Sequence, residues 1–98
     1  MSPAAPPTSA LRDVRVRTRA RVGGTLVALT YRPSTQVPAL VGRLSDGTGT
    51  VELVWLGRRT IAGVRPGSHL VAEGMVADGP AGPTIYNPDY ELRTAAPA

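Results

Sequence analysis

Cysteine, lysine and phenylalanine are absent from the 98 residues, and histidine and tryptophan occur once each. Without cysteine there are no disulfides and no thiolate metal sites. His69 alone cannot assemble a zinc centre, which takes three or four protein ligands, so no metal is expected. Without lysine there can be no phosphate loop ending in Gly-Lys-Ser/Thr. With no phenylalanine and aromatics at 4%, Val, Leu and Ala must fill the interior. Such a core is small, and a closed barrel or sandwich encloses it more readily than an open sheet. No apolar run approaches the ~20 residues that span a bilayer. Met1 to Ala10 holds Pro, Ala, Ser and Thr where a secretory signal would be apolar. The expectation is a cytoplasmic protein with no cofactor and no covalent or metal staple.

What is present is basic. Eleven Arg against seven acidic residues leave a net charge of +4. Arg in place of Lys goes together with abundant Ala, Gly and Pro and reads as the codon bias of a GC-rich genome. The net basicity is a separate matter and favours an acidic partner such as nucleic acid. A chain of this length makes one domain. Residues 1–10, rich in Pro and Ala, read as a disordered tail, 11–93 as the folded domain and 94–98 as a second tail.

The clearest structural signal is a hairpin, Leu40 to Leu56. Leu40, Gly42 and Leu44 alternate with Val41, Arg43 and Ser45, the period of a half-buried strand. Ser45-Asp46-Gly47-Thr48-Gly49 supplies turn chemistry. Val51, Leu53 and Trp55 then alternate with Thr50, Glu52 and Val54. A long strand, Arg21 to Arg32, precedes the hairpin, with Gly23-Gly24 marking a bend or bulge. Its run Leu26-Val27-Ala28-Leu29 is expected to be covered on both faces. Upstream, Arg15, Arg17, Arg19 and Arg21 recur at period two. As a strand this would put four guanidiniums on one face, either a solvated lead-in or an arm that tracks a phosphate backbone. Gly57 to Val64 is expected to form a short helical piece with Ile61 and Val64 inward, and Arg65-Pro66-Gly67-Ser68 a turn. A fourth strand, His69 to Ala77, and a fifth, Thr84 to Leu92, follow, with Pro88 forcing an edge or a bend in the last.

The order is strand, strand, strand, short helix, strand, strand. It is that of an all-β, five-stranded Greek-key barrel, the OB-fold, with one short helix between strands three and four. An SH3-like barrel is the main competitor. Leu44 to Trp55, with Asp-Gly-Thr-Gly and an aromatic after alternating apolar residues, resembles strands two and three of anticodon-binding OB domains and of the wedge domain of RecG-type helicases. Pro66-Gly67 followed by Glu73-Gly74 is similar to the entry to their fourth strand. Ile85 to Leu92 resembles the wedge's last strand, with Asn87 where His is usual. The likeness spans residues 21–92 and extends to small OB-fold nucleic-acid-binding domains of actinobacterial type. It implies an OB barrel that binds DNA or RNA.

OB-folds bind through the outer face of strands two and three and the flanking loops. Strand parity turns Val41, Arg43 and Ser45 outward, which makes Arg43 the leading contact. Tyr31 and Arg32, at the mouth of the first loop, form an aromatic-plus-cation pair. Arg58 and Arg59 head the expected helical piece, where cations oppose the helix dipole. Tyr86 and Tyr90 are further stacking candidates. Trp55 shares the inward parity of Val51 and Leu53, so it serves as a stacking platform only if a bulge reverses it. Glu52 is a counter-signal on a phosphate-binding face and a cross-strand partner for Arg43. No paired carboxylates or nucleophile–base arrangement point to an enzyme. The function expected is non-catalytic binding of single-stranded or junction nucleic acid with little sequence preference. A protein-interaction module using the same face or an exposed strand edge is the alternative.

Overall fold

The computed structural model describes residues 7–93. Of the tails expected at 1–10 and 94–98, residues 1–6 and 94–98 lie outside the described residues, while Ser9 donates its N–H to the Arg21 carbonyl at 2.8 Å. A single 3-10 turn, Leu11–Asp13, precedes six strands: β1 (Arg19–Arg32), β2 (Ala39–Ser45), β3 (Thr50–Leu56), β4 (His69–Gly79), β5 (Gly82–Tyr86) and β6 (Asp89–Arg93). β1 pairs antiparallel with β2, β2 with β3 and β4 with β5, while β3 and β5 run parallel. Pairing of β1 with β4 closes the ring. This circuit, with its one parallel pair, is that of an OB barrel and not of an SH3-like one. β5 and β6 occupy one strand position. β4 pairs with β5 through Val76–Gly79 and with β6 through His69–Glu73. The interruption falls at Asn87-Pro88, where Pro has no N–H for a ladder and Asn87 takes a positive φ of 49°. The bend expected at Pro88 is there.

β1 serves two sheets. Its first half lies against β4 and its second against β2, and Thr25 is in register with both His69 and Ser45. The chain must bend sharply at that handover. Gly24 permits it, because its Cα lies against the Ser45 backbone with no room for a Cβ. The β1–β2 register then slips by one residue between Leu26 and Ala28, so Val27 is bulged outward and 53% exposed. This corrects the expectation that the Leu26–Leu29 run is covered on both faces. Four successive apolar residues reflect a bulge that resets the alternation.

The barrel interior is built from Val22, Leu26, Leu44, Val51, Leu53, Leu70, Val76 and Ile85, all essentially inaccessible. Trp55 supplies the one large aromatic in that cluster. Beside it, Gly42 makes space for Leu26. A Cβ there would come within 2.7 Å of the Leu26 side chain and 3.5 Å of the Trp55 ring.

No helix forms between β3 and β4, contrary to expectation. Gly57 and Gly63 take positive φ of 73° and 78°, and the intervening residues are too few to hold a helix by themselves. A single turn suffices to bury both apolar residues: the Val64 N–H donates to the Ile61 carbonyl at 3.0 Å, and both side chains enter the core. The turn at Arg65–Ser68 is as expected. Ser68 N–H donates to the Arg65 carbonyl at 2.9 Å, with Gly67 at φ 93° supplying the conformation that a type II turn requires. Among the described residues no helix is long and apolar enough to cross a membrane.

Candidate nucleic-acid interface

Cross-strand registers fix the outer face of β1, β2, β3 and β5. Ala28, Arg43 and Glu52 make one row, Thr30, Val41, Val54 and Tyr86 the next, and Arg32, Ala39 and Leu56 a third. The floor is apolar and closed, since Ala39, Val41 and Val54 form a small buried cluster of their own. Around it stand Arg43, 49% exposed, and Tyr86, 45% exposed, with Arg32 exposed at the β1–β2 loop. A hollow of about 190 Å³ opens between Ala28, Thr30, Val41, Arg43 and Glu52. Arg43 Nη2 and Glu52 Oε2 are 3.9 Å apart, a cross-strand attraction too long for a hydrogen bond.

Tyr31 and Trp55 share the opposite parity. Both are in register with Leu40, so they face the barrel mouth beneath the β1–β2 loop. Trp55 is 5% exposed and meets Tyr90 edge to face, with centroids 5.9 Å apart and planes at 82°. No bulge turns Trp55 outward, and its role here is packing. Its indole Nε1 is buried without a hydrogen-bond partner. Tyr31 is half-buried and does not pair with Arg32, which points to the other face as the adjacent strand residue. Its cation is Arg59, whose guanidinium carbon lies 4.9 Å from the ring centroid, within cation–π reach. Arg58 and Arg59 sit on the turn after β3, held to the β1–β2 loop by the Gly57 N–H bonding the Pro38 carbonyl at 2.7 Å. Arg32, Arg58, Arg59 and Tyr31 therefore share one end of the barrel, at the rim of the face carrying Arg43 and Tyr86.

No protein-family profile matches this sequence, and no curated protein matches it. Its fold has solved counterparts. The chain is similar to the solution NMR structure of a replication factor A related protein from Methanobacterium thermoautotrophicum, with a TM-score of 0.70 at 13% identity, over 89% of this chain and 91% of that one. At that identity the likeness is one of fold.

The four-arginine stripe does not form. Arg15 and Arg17 precede β1, and Arg17 has a φ of 65°. Arg19 and Arg21 do share a face of β1, but that face is compensated. Arg19 meets Glu73 at 3.1 Å and Asp89 at 3.6 Å, and Arg21 meets Glu73 at 3.5 Å and Glu91 at 3.1 Å. By contrast, Arg32, Arg58 and Arg59 have no carboxylate within ion-pair distance among the described residues. His69 is occupied by Thr25, Nδ1 to Oγ1 3.0 Å.

Two residues do more than their sequence context conveys. Asp46 does more than shape its turn. Oδ1 accepts from Thr48 Oγ1 at 2.6 Å, Thr48 N at 2.8 Å and Gly49 N at 3.3 Å, and Oδ2 accepts from Leu11 N at 2.9 Å. The Thr48 hydroxyl, then the Leu11 and other backbone N–H groups, lower the carboxyl to about 2. Asp46 thus pins the N-terminal segment across the turn end of the β2–β3 hairpin. Asn87 joins β5 to the end of β3: its N–H donates to the Val54 carbonyl at 2.6 Å and its Oδ1 accepts from Leu56 N at 2.9 Å. The Asn-Pro pair signals a break but carries no indication of that long-range partner.

Proposed function

We propose that this chain is a non-catalytic binding module for single-stranded or junction nucleic acid, DNA or RNA. The ligand lies across the outer face of β2 and β3 and over the rim formed by the β1–β2 loop and the turn after β3. One observation carries the reading: the barrel rim gathers three arginines without a carboxylate partner, while the β4–β6 side is neutralised. The Glu73, Asp89 and Glu91 carboxylates are taken up by Arg19, Arg21 and Arg93 on the β4–β6 side. Arg32, Arg58 and Arg59, on the side of the apolar floor and Tyr86, meet no carboxylate among the described residues. Phosphates supply the missing anions there, and Tyr86 supplies a stacking surface. The sequence likeness to anticodon-binding and RecG-type wedge domains, and the fold likeness to a replication factor A related protein, support the same reading.

Fluorescence anisotropy with labelled single-stranded DNA and RNA across a salt series tests this. Each phosphate neutralised contributes about −0.7 to the log–log slope, so engagement of Arg32, Arg58 and Arg59 gives about −2. Arg43→Ala and Tyr86→Ala each weaken binding, Tyr86→Ala by about 1–3 kcal/mol if a base stacks there. Absence of binding at about 50 mM salt overturns the proposal. It would turn attention to β6, which among the described residues pairs only with β4 and is exposed along its length, as a protein-docking edge.

A further inference from the structure

Glu52 is out of place on a surface built for phosphate. Its side chain is only 16% exposed, and its one cation, Arg43, stands 3.9 Å away, beyond hydrogen-bond reach. No hydrogen bond to its carboxylate is formed among the described residues. An ionised carboxylate has roughly four acceptor sites, and these are left to whatever enters the hollow that Glu52 helps to line. Ala28 and Val41 give that hollow an apolar wall, Thr30 a hydroxyl and Arg43 a fork of donors. Its volume of about 190 Å³ is below the ~300–1,000 Å³ of pockets that enclose whole drug-sized ligands. A single ring system enters, with sugar and phosphate left outside.

We propose that the hollow between Arg43 and Glu52 is a subsite for one unpaired base and that it prefers guanine. The proposal rests on the nucleic-acid reading above. A carboxylate is matched by two adjacent N–H donors. Guanine presents them on its Watson–Crick edge, N1–H and the 2-amino group, with O6 beside them as an acceptor for a guanidinium. Adenine and cytosine set a ring-nitrogen acceptor next to their amino group, which opposes the second carboxylate oxygen. Thymine and uracil flank one N–H with two carbonyls, both repelled by Glu52. The same charge orders the strand: phosphates avoid Glu52 and pass over Arg32, Arg58 and Arg59, while the base turns into the hollow.

The test uses a labelled thymidine oligonucleotide of about eight nucleotides, within the ~4–16 of one OB fold, carrying one central dG, dI, dA, dC or dT. Deoxyinosine keeps every guanine group except the 2-amino donor. The wild-type protein is expected to bind the dG oligonucleotide about tenfold tighter than the dI one, the size of one lost hydrogen bond to a charged group. In Glu52→Ala, which leaves no acceptor for the 2-amino group, the dG-over-dI gap should fall to about twofold or less, with the all-thymidine oligonucleotide binding at least as well as before. Equal affinity for all five oligonucleotides in the wild type overturns the guanine subsite and leaves the binding function standing. So does a dG-over-dI gap that survives in Glu52→Ala. Failure to bind any of them overturns both. The wild-type series does not depend on how any variant folds.

Discussion

At the residue scale, position along a strand separates side chains that composition would group together. Tyr31 and Arg32 are neighbours in sequence, yet one turns to the barrel mouth and the other to the outer face. Trp55 followed its parity into the core, and Arg43 and Glu52 followed theirs outward, so these three were legible from alternation alone. The Tyr31–Arg59 contact was not, since it depends on how the turn after β3 folds back. Asp46 was legible as a turn residue and illegible as the anchor of Leu11, 35 positions away. Its folded carboxyl titrates at about 2, below the ~3.9 of an unfolded Asp. The ionised form is therefore the one that folding favours. That stabilisation is complete above about pH 5 and is lost as pH falls through the folded value. Asp46→Asn is expected to lower the melting temperature at neutral pH. Its melting temperature should also fall less steeply than that of the wild type between about pH 5 and pH 2. Parallel curves for the two proteins would show that the Asp46 charge has no such role.

At the element scale, the sequence resolved strands and turns wherever the signal is local. The β2–β3 hairpin, the Pro-Gly turn and the break at Pro88 all depend on residues within a few positions of one another. The features it missed depend on partners far away. The bulge at Val27 exists because β1 must leave β4 and join β2, which no window of β1 reveals. The segment after β3 has the Ile61/Val64 spacing of a helix, but one turn buries both residues and glycines bound it. The Gly23-Gly24 pair was read as a single bend signal, and the structure separates its members. A Cβ on Gly23 would make ordinary contacts of 3.5 Å or more, whereas one on Gly24 would strike the Ser45 backbone. Gly24→Ala is expected to cost about 1–3 kcal/mol through overpacking, a drop of roughly 4–8 °C per kcal/mol in a domain of this size. Gly23→Ala should be neutral or stabilise by up to about 1 kcal/mol, because it restricts the unfolded chain. Thermal melts of the two variants measure the difference. Equal effects would mean that β1 can re-route its corner.

At the scale of the whole molecule, the +4 charge says less than its distribution. In the sequence the period-two stripe from Arg15 to Arg21 is the conspicuous cluster of charge. The barrel reverses that emphasis. Closure of β1 on β4, with β6 on the far edge of β4, brings Arg19 and Arg21 to Glu73, Asp89 and Glu91. The meeting of the β1–β2 loop with the turn after β3 gathers Arg32 with the adjacent Arg58 and Arg59, which are remote from it in sequence, away from those acids. The two groups should behave differently in one experiment. Substituting Arg32 or Arg58 by Ala should each reduce the salt slope of nucleic-acid binding by about 0.7, with little change in melting temperature, because neither holds an ion pair among the described residues; Arg59→Ala should reduce the slope equally and also cost about 0.5–1 kcal/mol of stability through its lost contact with Tyr31. Arg19→Ala should leave the slope unchanged and lower stability by up to about 1 kcal/mol, the range of exposed ion pairs. A slope reduced equally by Arg19→Ala would place phosphates on the β4–β6 side, where carboxylates already neutralise the arginines, and the rim arginines would no longer locate the binding face.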